Sequence, residues 1–439
     1  MMSDGPRRAV LMRMAASDRA QRTGLAVETP RVLFVTVGYP RDEGSGGLIV
    51  SWRALEAYAR FARVDTVALV PPRAEEPEGL REITAGIEAI PIKGFHSVSR
   101  GRAIARLARS VFQRRPARMM GFNARRPRHL IANLSSTNNY DILHCDHLWT
   151  APFAPFVSAQ KKVLLEHNVE WELIARLAEH SNGRSAVRLR HEAKRTRQYE
   201  TSLTSGFDHI LTLSEADRES LLLETPGLAS RLSVWPVPVR INRPVRPTPN
   251  GPFTVLMLGS LRSTGGGRLH GLLWFLREVW PELRRAVPDA RLEVVGADPP
   301  AGLLEADGRN GVSIRGFVTD IDQLLGSATV SAIPLFVGAG IRIKVLELLS
   351  EGIPCIGTDL ALRGYDQVPG TALADTKQEW IDLLKGVAAD PHALRRQAHE
   401  GAAMLRAERS VERAADHLRE LWHAGDPVTE MAPIRSSIT

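Results

Sequence analysis

The sequence predicts an α/β protein made of two doubly wound domains. Short apolar runs alternate with longer amphipathic stretches along nearly the whole chain, the pattern of buried parallel strands joined by helices. A proline-rich stretch, PVPVRINRPVRPTPNGP from Pro236 to Pro252, breaks that alternation once. The 439 residues are enough for two cores of ordinary size.

Taken in order, residues 1–29 lack a sustained apolar core and read as a disordered basic lead-in, not a signal peptide. Residues 30–239 are expected to form the first domain. Its strands are RVLFVTV (31–37), VDTVALV (64–70), IEAIPI (87–92), DILHCD (141–146), VLLEHN (163–168) and HILTLS (209–214). Between them lie helical patterns such as GLIVSWRALEAYARFA. Residues 240–252 form the linker, because proline cannot donate a backbone hydrogen bond and turns its predecessor away from helix. Residues 253–409 restart the pattern with FTVLMLGS (253–260), RLEVVG (291–296), VSIRGF (312–317), TVSAIPL (329–335) and PCIGTD (354–359). The last piece, 410–439, opens with the helical SVERAADHLRELWHA and is expected to cross back before a tail. In open sheets of this kind ligands bind beyond the carboxyl ends of the strands, so two facing sheets make a cleft for two substrates.

Composition narrows the class. Hydrophobic residues are 44% and charged residues 24% of the chain, a globular balance. No apolar run reaches the roughly 18 residues of a membrane span. The two cysteines, Cys145 and Cys355, sit in apolar runs and read as buried thiols, which suits a cytoplasmic setting. The net charge of +8 is concentrated: from Ile90 to Tyr140 there are eleven Lys or Arg and no acid, which leaves the rest slightly negative.

Four strand-end loops hold candidate chemistry. GAGIRIKVLELLSEG places Gly338 and Gly340 before a helix that opens with Arg342 and Lys344. Cations there oppose the helix dipole, while the N–H groups of the first turn invite an anion. A diphosphate cradle and a solvated surface helix are both compatible with that pattern. Glu347, three residues past Lys344, is either a simple ion-pair partner or an acceptor for sugar hydroxyls. GYPRDEGSGGLIV places Gly44, Gly46 and Gly47 before a helix, as a close-approach loop or a plain turn. DILHCDHLW crowds His144, Cys145, Asp146 and His147 at a strand end; neighbouring strand residues face opposite ways, so no metal is expected, and an acid or base lining the cleft fits better. LLEHNVEWE sends His167, Asn168 and Glu170 out of a strand. The pair Asp320 and Asp322 suggests a divalent metal, but helix capping explains it.

The run from LGSL (258–261) to GYD (364–366) resembles the retaining glycosyltransferases of family 4, glycosyl transferases group 1. Its segments WFLREVWPELRRAVPDARLEVVG, VSIRGFVTDIDQLLGSATVSAIPL and GAGIRIKVLELLSEGIPCIGTD follow that family's order and spacing, and EHNVE and GSGG are similar to its first half. The resemblance implies the GT-B fold, two Rossmann-like doubly wound domains facing across a cleft. It also implies sugar transfer from a UDP- or GDP-linked donor with retention, without metal or resident cofactor. Gly338, Gly340, Ile341, Arg342, Lys344 and Glu347 would then bind the donor diphosphate and ribose, and Phe317 and Val318 the nucleobase loop. Arg262 and Arg268 would stand in for the family's basic pair, near Ser260 and His270. The family's usual glutamate eight residues before Glu347 is here Ala339, which implies altered sugar contacts. A histidine used by some members falls by spacing on Asp146, with His147 beside it; these two and His167 are the candidate catalytic groups. Gly46, Gly47, Asn168 and Glu170 would line the acceptor side.

Partners follow. The acceptor implied is a glycan or lipid-linked molecule in polysaccharide or glycolipid assembly. Residues 93–128, basic and interleaved with apolar side chains, fit an anionic membrane surface and peripheral placement on its inner face. Nucleic acid is disfavoured because stacking aromatics are few. A nucleotide-sugar epimerase and a catalytically silent binding protein of the same fold are the competing readings.

Overall fold

The computed structural model describes residues 29–92, 116, 117, 119, 125–259, 261, 267–318, 320–338 and 340–423. The first sheet has seven strands: β1 (Arg31–Val37), β2 (Arg63–Val70), β3 (Gly86–Pro91), β4 (Tyr140–Asp146), β5 (Ala159–Glu166), β6 (His209–Thr212) and β7 (Leu232–Val234). Their order is β3-β2-β1-β4-β5-β6-β7. The second has six: β8 (Thr254–Leu258), β9 (Arg291–Val295), β10 (Val312–Gly316), β11 (Val330–Ile333), β12 (Cys355–Gly357) and β13 (Thr371–Leu373), ordered β10-β9-β8-β11-β12-β13. Every pairing is parallel. Strand order reverses between β1 and β4 in one sheet and between β8 and β11 in the other. The loops that follow these four strands therefore flank the two crevices where ligands bind.

The helices that matter for the site are α1 (Gly46–Ala59), α2 (Arg125–Thr137), α3 (Glu170–Glu179), α4 (Gly183–Thr204), α5 (Glu215–Glu224), α6 (Gly267–Trp274), α7 (Asp322–Ser327), α8 (Ile343–Ser350), α9 (Lys377–Ala389), α10 (Pro391–Glu408) and α11 (Val411–His423). Two strands, β7 and β13, were not anticipated: each has three residues, too few for periodicity to register. Several expected strands run too far. The strand expected at 163–168 ends at Glu166, so His167 and Asn168 belong to the loop beyond it. The helix expected from Ile341 starts at Ile343, with Arg342 in extended backbone as its N-cap.

Three apolar clusters hold the molecule together. One fills the outer face of the first sheet and includes Leu33, Leu143, Cys145 and Phe153. Another fills the outer face of the second, around Phe275, Trp280 and Trp380. The third spans both domains, joining Phe34, Leu55 and Tyr58 to Ile343, Leu346 and Leu349 and then to Ala414 and Leu418. The two sheets thus share buried apolar surface where they face each other, and α11 takes part by packing on α1. Trp235 Nε1 donates to the Ala414 carbonyl at 3.3 Å, and Val239 N donates to Arg409 O at 2.8 Å. Both cysteines are buried thiols. No described helix is long and apolar enough to cross a membrane.

Three linker arginines tie the halves together. Arg240 pairs with Asp42 at 2.9 Å and Glu43 at 3.3 Å, in the loop before α1. Arg243 reaches Glu43, Asp322 and Glu351 at 3.3–3.5 Å. Arg246 pairs with Glu351 at 2.6 Å and Asp322 at 2.8 Å. Linker residues therefore bridge the glycine loop of the first domain to the far end of α8. Their worth is uneven. Glu43 is two-thirds exposed, and such pairs contribute about 0–1 kcal/mol. Arg246 and Glu351 are nearly buried, and stranding one such charge costs about 3–5 kcal/mol. Urea unfolding should therefore show Arg246→Ala destabilised by several-fold more than Glu43→Ala; equal losses would contradict this division.

Candidate active site

The two crevices face each other and merge into one cleft of about 730 Å³. On the first-domain side it is lined by Gly44, Ser45, Gly46 and Gly47 after β1, by His147 after β4, and by His167 and Asn168 after β5. The opposite wall is Leu258 and Gly259 at the end of β8, Gly316, Phe317 and Val318 at the end of β10, and Ile341, Arg342, Ile343 and Lys344 after β11. A volume of this size suits a ligand larger than a single sugar.

The first wall is organised by a buried carboxylate. Asp146 ends β4 and is 1% exposed. Its Oδ2 accepts from Thr36 Oγ1 on β1 and from Ser51 Oγ on α1, both at 2.6 Å. Its Oδ1 lies 2.8 Å from His167 Nε2. Burial pushes this carboxyl up, but the adjacent His167 ring, with its charge and hydrogen bond, then His144 and the Ser51 hydroxyl, outweigh burial and hold it down to about 2. Asp146 is therefore ionised and fully engaged, and it does not reach the cleft. The expectation that it might line the cleft is corrected: strand alternation turns it inward, onto the face covered by α1. Ser51 Oγ also lies 2.9 Å from the Gly47 carbonyl, so the same carboxylate steadies the glycine loop.

His147 does line the cleft. Its φ is +89°, a region that non-glycine residues rarely occupy and that recurs at functional sites. Its N–H bonds the Leu165 carbonyl at 2.8 Å, and its Nε2 accepts from Trp149 Nε1 at 3.0 Å. Burial lowers its basicity, as does the neighbouring His167, with Asp146 opposing both; together they hold it well below the usual imidazole range. His144, three residues earlier, is in the core, stacked on Phe34 with its Nδ1 3.1 Å from Tyr58 Oη. Burial lowers it to about 4.

The second wall is organised by close backbone approach. Gly340 has φ +69°, and a Cβ there would run into Asn168 Oδ1 and lie 2.9 Å from the His167 carbonyl. A Cβ on Gly338 would lie 2.5 Å from Arg342 Nη2, so the guanidinium folds over this glycine. Across the cleft, Arg176 on α3 donates to the Gly338 carbonyl at 3.0 Å while pairing with Glu172 at 2.9 Å. The result is a glycine turn held from both domains, delivering Arg342 and Lys344 to the first turn of α8. Glu347 lies one turn deeper, mostly buried and off the open cleft. Burial raises its carboxyl, partly offset by Arg240, Lys344, Arg53 and Arg243.

The other expected residues fall as follows. Phe317, three-quarters exposed, and Val318 stand on the cleft wall, as do Gly46, Gly47, Asn168 and Ile341. Glu170 does not: it is 3% exposed and sits behind His147, because α3 turns its first residue into the domain. Arg262, the side chain of Arg268 and Ala339 lie outside the described residues, as does most of the basic stretch 93–128, whose last residues open α2. Asp320 accepts from the Asp322 N–H at 3.0 Å, but the N-cap of α7 is Ile321 and neither acid caps it; Asp322 is engaged by Arg243 and Arg246. Thr36, Ser51 and Arg176 went unnoticed in the sequence. Ser51 carried a signal, as a small polar residue on the apolar face of α1; Arg176 carried none, since its partner is 162 residues away.

Acid should loosen this site in a defined order. His144 and Asp146 both bind protons more weakly when folded. The stability contributed by His144 is complete above about pH 6.5 and is lost as pH falls toward 4, on the order of 3 kcal/mol. That of Asp146 is complete above its unfolded value near 4 and is lost toward 2. From pH 7 to 4 the thermal midpoint of His144→Gln should fall less, or rise more, than that of the wild type; parallel profiles would contradict the assignment.

Residues 252–390 match the sequence model of a family described as glycosyl transferases group 1. No curated protein matches the chain in sequence. Solved structures share its fold across both domains. Sucrose-phosphate synthase from Thermosynechococcus elongatus aligns over 90% of this chain and 98% of its own, at 14% identity and a TM-score of 0.60. HepE from Anabaena, solved with UDP and glucose, aligns over 90% and 99%, at 14% identity and a TM-score of 0.62. TarM aligns over 91% and 99%, at 10% identity and a TM-score of 0.61. The expected GT-B architecture is thereby established. Residues 252–390, the domain that carries Arg342 and Lys344, are thus similar to the glycosyl transferases group 1, on a GT-B fold that spans both domains.

Proposed function

We propose that the chain transfers a sugar from a UDP- or GDP-linked donor to a glycan or lipid-linked acceptor, with retention, in polysaccharide or glycolipid assembly. The observation that carries this reading is the placement of Arg342 and Lys344 at the start of α8, on the wall of a cleft shared by two sheets. First-turn N–H groups and two cations suit a diphosphate, and they stabilise the charge that it gains as it leaves. Glu347, one turn on, is the carboxylate for the ribose hydroxyls, and Phe317 with Val318 gives the base an apolar face. HepE was solved with UDP-glucose, which supports a uridine donor without choosing the sugar.

The acceptor enters from the first domain, past Gly46, Gly47 and Asn168. Asp146 already accepts three hydrogen bonds and is buried, so it is not the protein nucleophile of a double displacement. A front-face transfer suits this geometry: the departing diphosphate takes the acceptor proton while His147 holds the sugar. Neither the epimerase nor the silent reading gains a specific observation.

Calorimetry with UDP- and GDP-linked hexoses tests the site. Glu347→Ala and Lys344→Ala should each weaken donor binding about tenfold or more, equivalent to about 1.4 kcal/mol. A folded protein that binds no nucleotide sugar, or a Glu347→Ala variant with unchanged affinity, would refute the assignment. We also infer that residues 93–128 bring the enzyme to an anionic membrane, on the strength of their charge. Sedimentation with phosphatidylglycerol vesicles should exceed that with phosphatidylcholine vesicles; equal binding would refute it.

A further inference from the structure

The first domain carries a basic helix that the donor site does not use. α4 is buried along a narrow seam, Ala186, Ala193, Thr196, Glu200 and Thr204, and the rest of its surface is exposed or half-buried. Arg184, Arg188, Arg190, His191 and Lys194 are all exposed. Arg184, Arg188, His191 and Lys194 follow one another at spacings of four, three and three, which puts them along one side of the helix. Residues 180–199 hold six Lys or Arg and one acid, Glu192. Outside this stretch and residues 90–140 the chain is net acidic. Arg197 pairs with Glu224 and lies over the Trp171 ring. Among the described residues no ion pair or hydrogen bond engages the side chains of Arg184, Arg188, Arg190 or Lys194.

Hydrogen bonds set where this face lies. α3 leaves the loop after β5, and its Arg176 reaches the Gly338 carbonyl of the second domain at 3.0 Å. Three residues, 180–182, join α3 to α4. Glu200 accepts from the N–H groups of Glu170 and Trp171 at 3.1 and 3.2 Å. The two helices are therefore antiparallel, with the last third of α4 against the start of α3. At about 1.5 Å per residue, Arg184 lies about 24 Å back along α4 from Glu200, while α3 is about 15 Å long. Lys194 thus stands level with Arg176, and residues 184–190 continue toward and past the end of α3. The basic face flanks the crossing from one domain to the other.

Like charges at i and i+4, Arg184 with Arg188 and Arg190 with Lys194, weaken a helix, and Arg184 in the first turn opposes its dipole. A polyanion lying on the face relieves both. The chemistry of the face narrows the partner. Val187 is the one large apolar side chain exposed on α4 among the described residues, so the helix lacks the apolar face that buries into a bilayer. No Phe, Trp or Tyr lies between Arg184 and Gln198, so nucleic-acid bases have nothing to stack on. What the face offers is guanidinium and ammonium groups spread over about 15 Å from Arg184 to Lys194, a spacing for several anionic groups along one chain. We propose that this face of α4 binds an acidic glycan, its anionic groups carried on successive sugars. On the transferase reading that glycan is the acceptor chain, held beside the cleft. That use rests on the reading; the binding does not.

Calorimetry of the full chain with oligogalacturonate tests the binding, with a neutral maltooligosaccharide of equal length beside it. The acidic chain should bind and the neutral one should not, and the binding should weaken as salt rises. Joint replacement of Arg188→Glu and Lys194→Glu should lower the affinity about tenfold or more. Lys385→Glu, at an exposed position of the second domain, should leave it unchanged. Arg188→Gln with Lys194→Gln keeps side-chain length and helix propensity; it covers the case in which charge reversal unfolds the chain, and should act in the same direction by a smaller factor. No binding of oligogalacturonate, or equal affinity in wild type and the α4 variants, overturns the proposal. So does a loss of binding to phosphatidylglycerol vesicles in those variants while oligogalacturonate binding is kept, which would give the face to a membrane. UDP-hexose affinity should be the same in wild type and the α4 variants, since α4 does not line the cleft. Oligogalacturonate binding without nucleotide-sugar binding would refute the transferase reading alone.

Discussion

The first wall of the cleft depends on one buried charge. Asp146 draws Thr36 from β1, Ser51 from α1 and His167 from beyond β5 onto two oxygens. A carboxylate buried this deeply is retained only when its lone pairs are occupied, so the three donors are as necessary as the acid. The interaction adds little net stability over an apolar packing of equal volume. Its effect is on geometry: it fixes the exit of β5, which sets where His167 and Asn168 meet the other domain, and it steadies the glycine loop through Ser51.

The second wall depends on backbone rather than charge. Gly340 is in the left-handed region and lies against Asn168 and His167, so the turn that leads into α8 is shaped by the domain opposite. Arg342 and Lys344 oppose the dipole of α8, a local cost of about 0.3–1 kcal/mol each. An anionic ligand removes that cost. The linker arginines complete the arrangement by fastening Asp42 and Glu43, just before the glycine loop, to Glu351 at the far end of α8. Both walls are thus tied to one another at three levels: loop on loop, linker to both domains, and α11 on α1.

Much of this was readable from sequence, for physical reasons. Ten of the eleven expected strands lie within a few residues of observed ones because buried parallel strands are continuous apolar runs, and the strand expected at 163–168 was shifted by four residues at its start because Ala159, Gln160, Lys161 and Lys162 are polar or small and only pair at the edge of the core. The glycine turn before α8 and its two cations were visible because they are adjacent in the chain. The role of Asp146 was not, since its partners come from 95 and 110 residues away and from His167, beyond the next strand. Glu170 was misplaced for a similar reason: helix phase, not motif, decides which way the first residue of α3 turns, and here it turns toward Glu200 and His147.

A crystal structure with bound UDP asks most directly whether the cleft is a donor site. The two phosphates should lie against the first-turn N–H groups of α8 and within reach of Arg342 and Lys344, with the ribose toward Glu347 and the uracil beside Phe317 and Val318. Phosphates bound elsewhere, with the start of α8 left facing solvent, would contradict it.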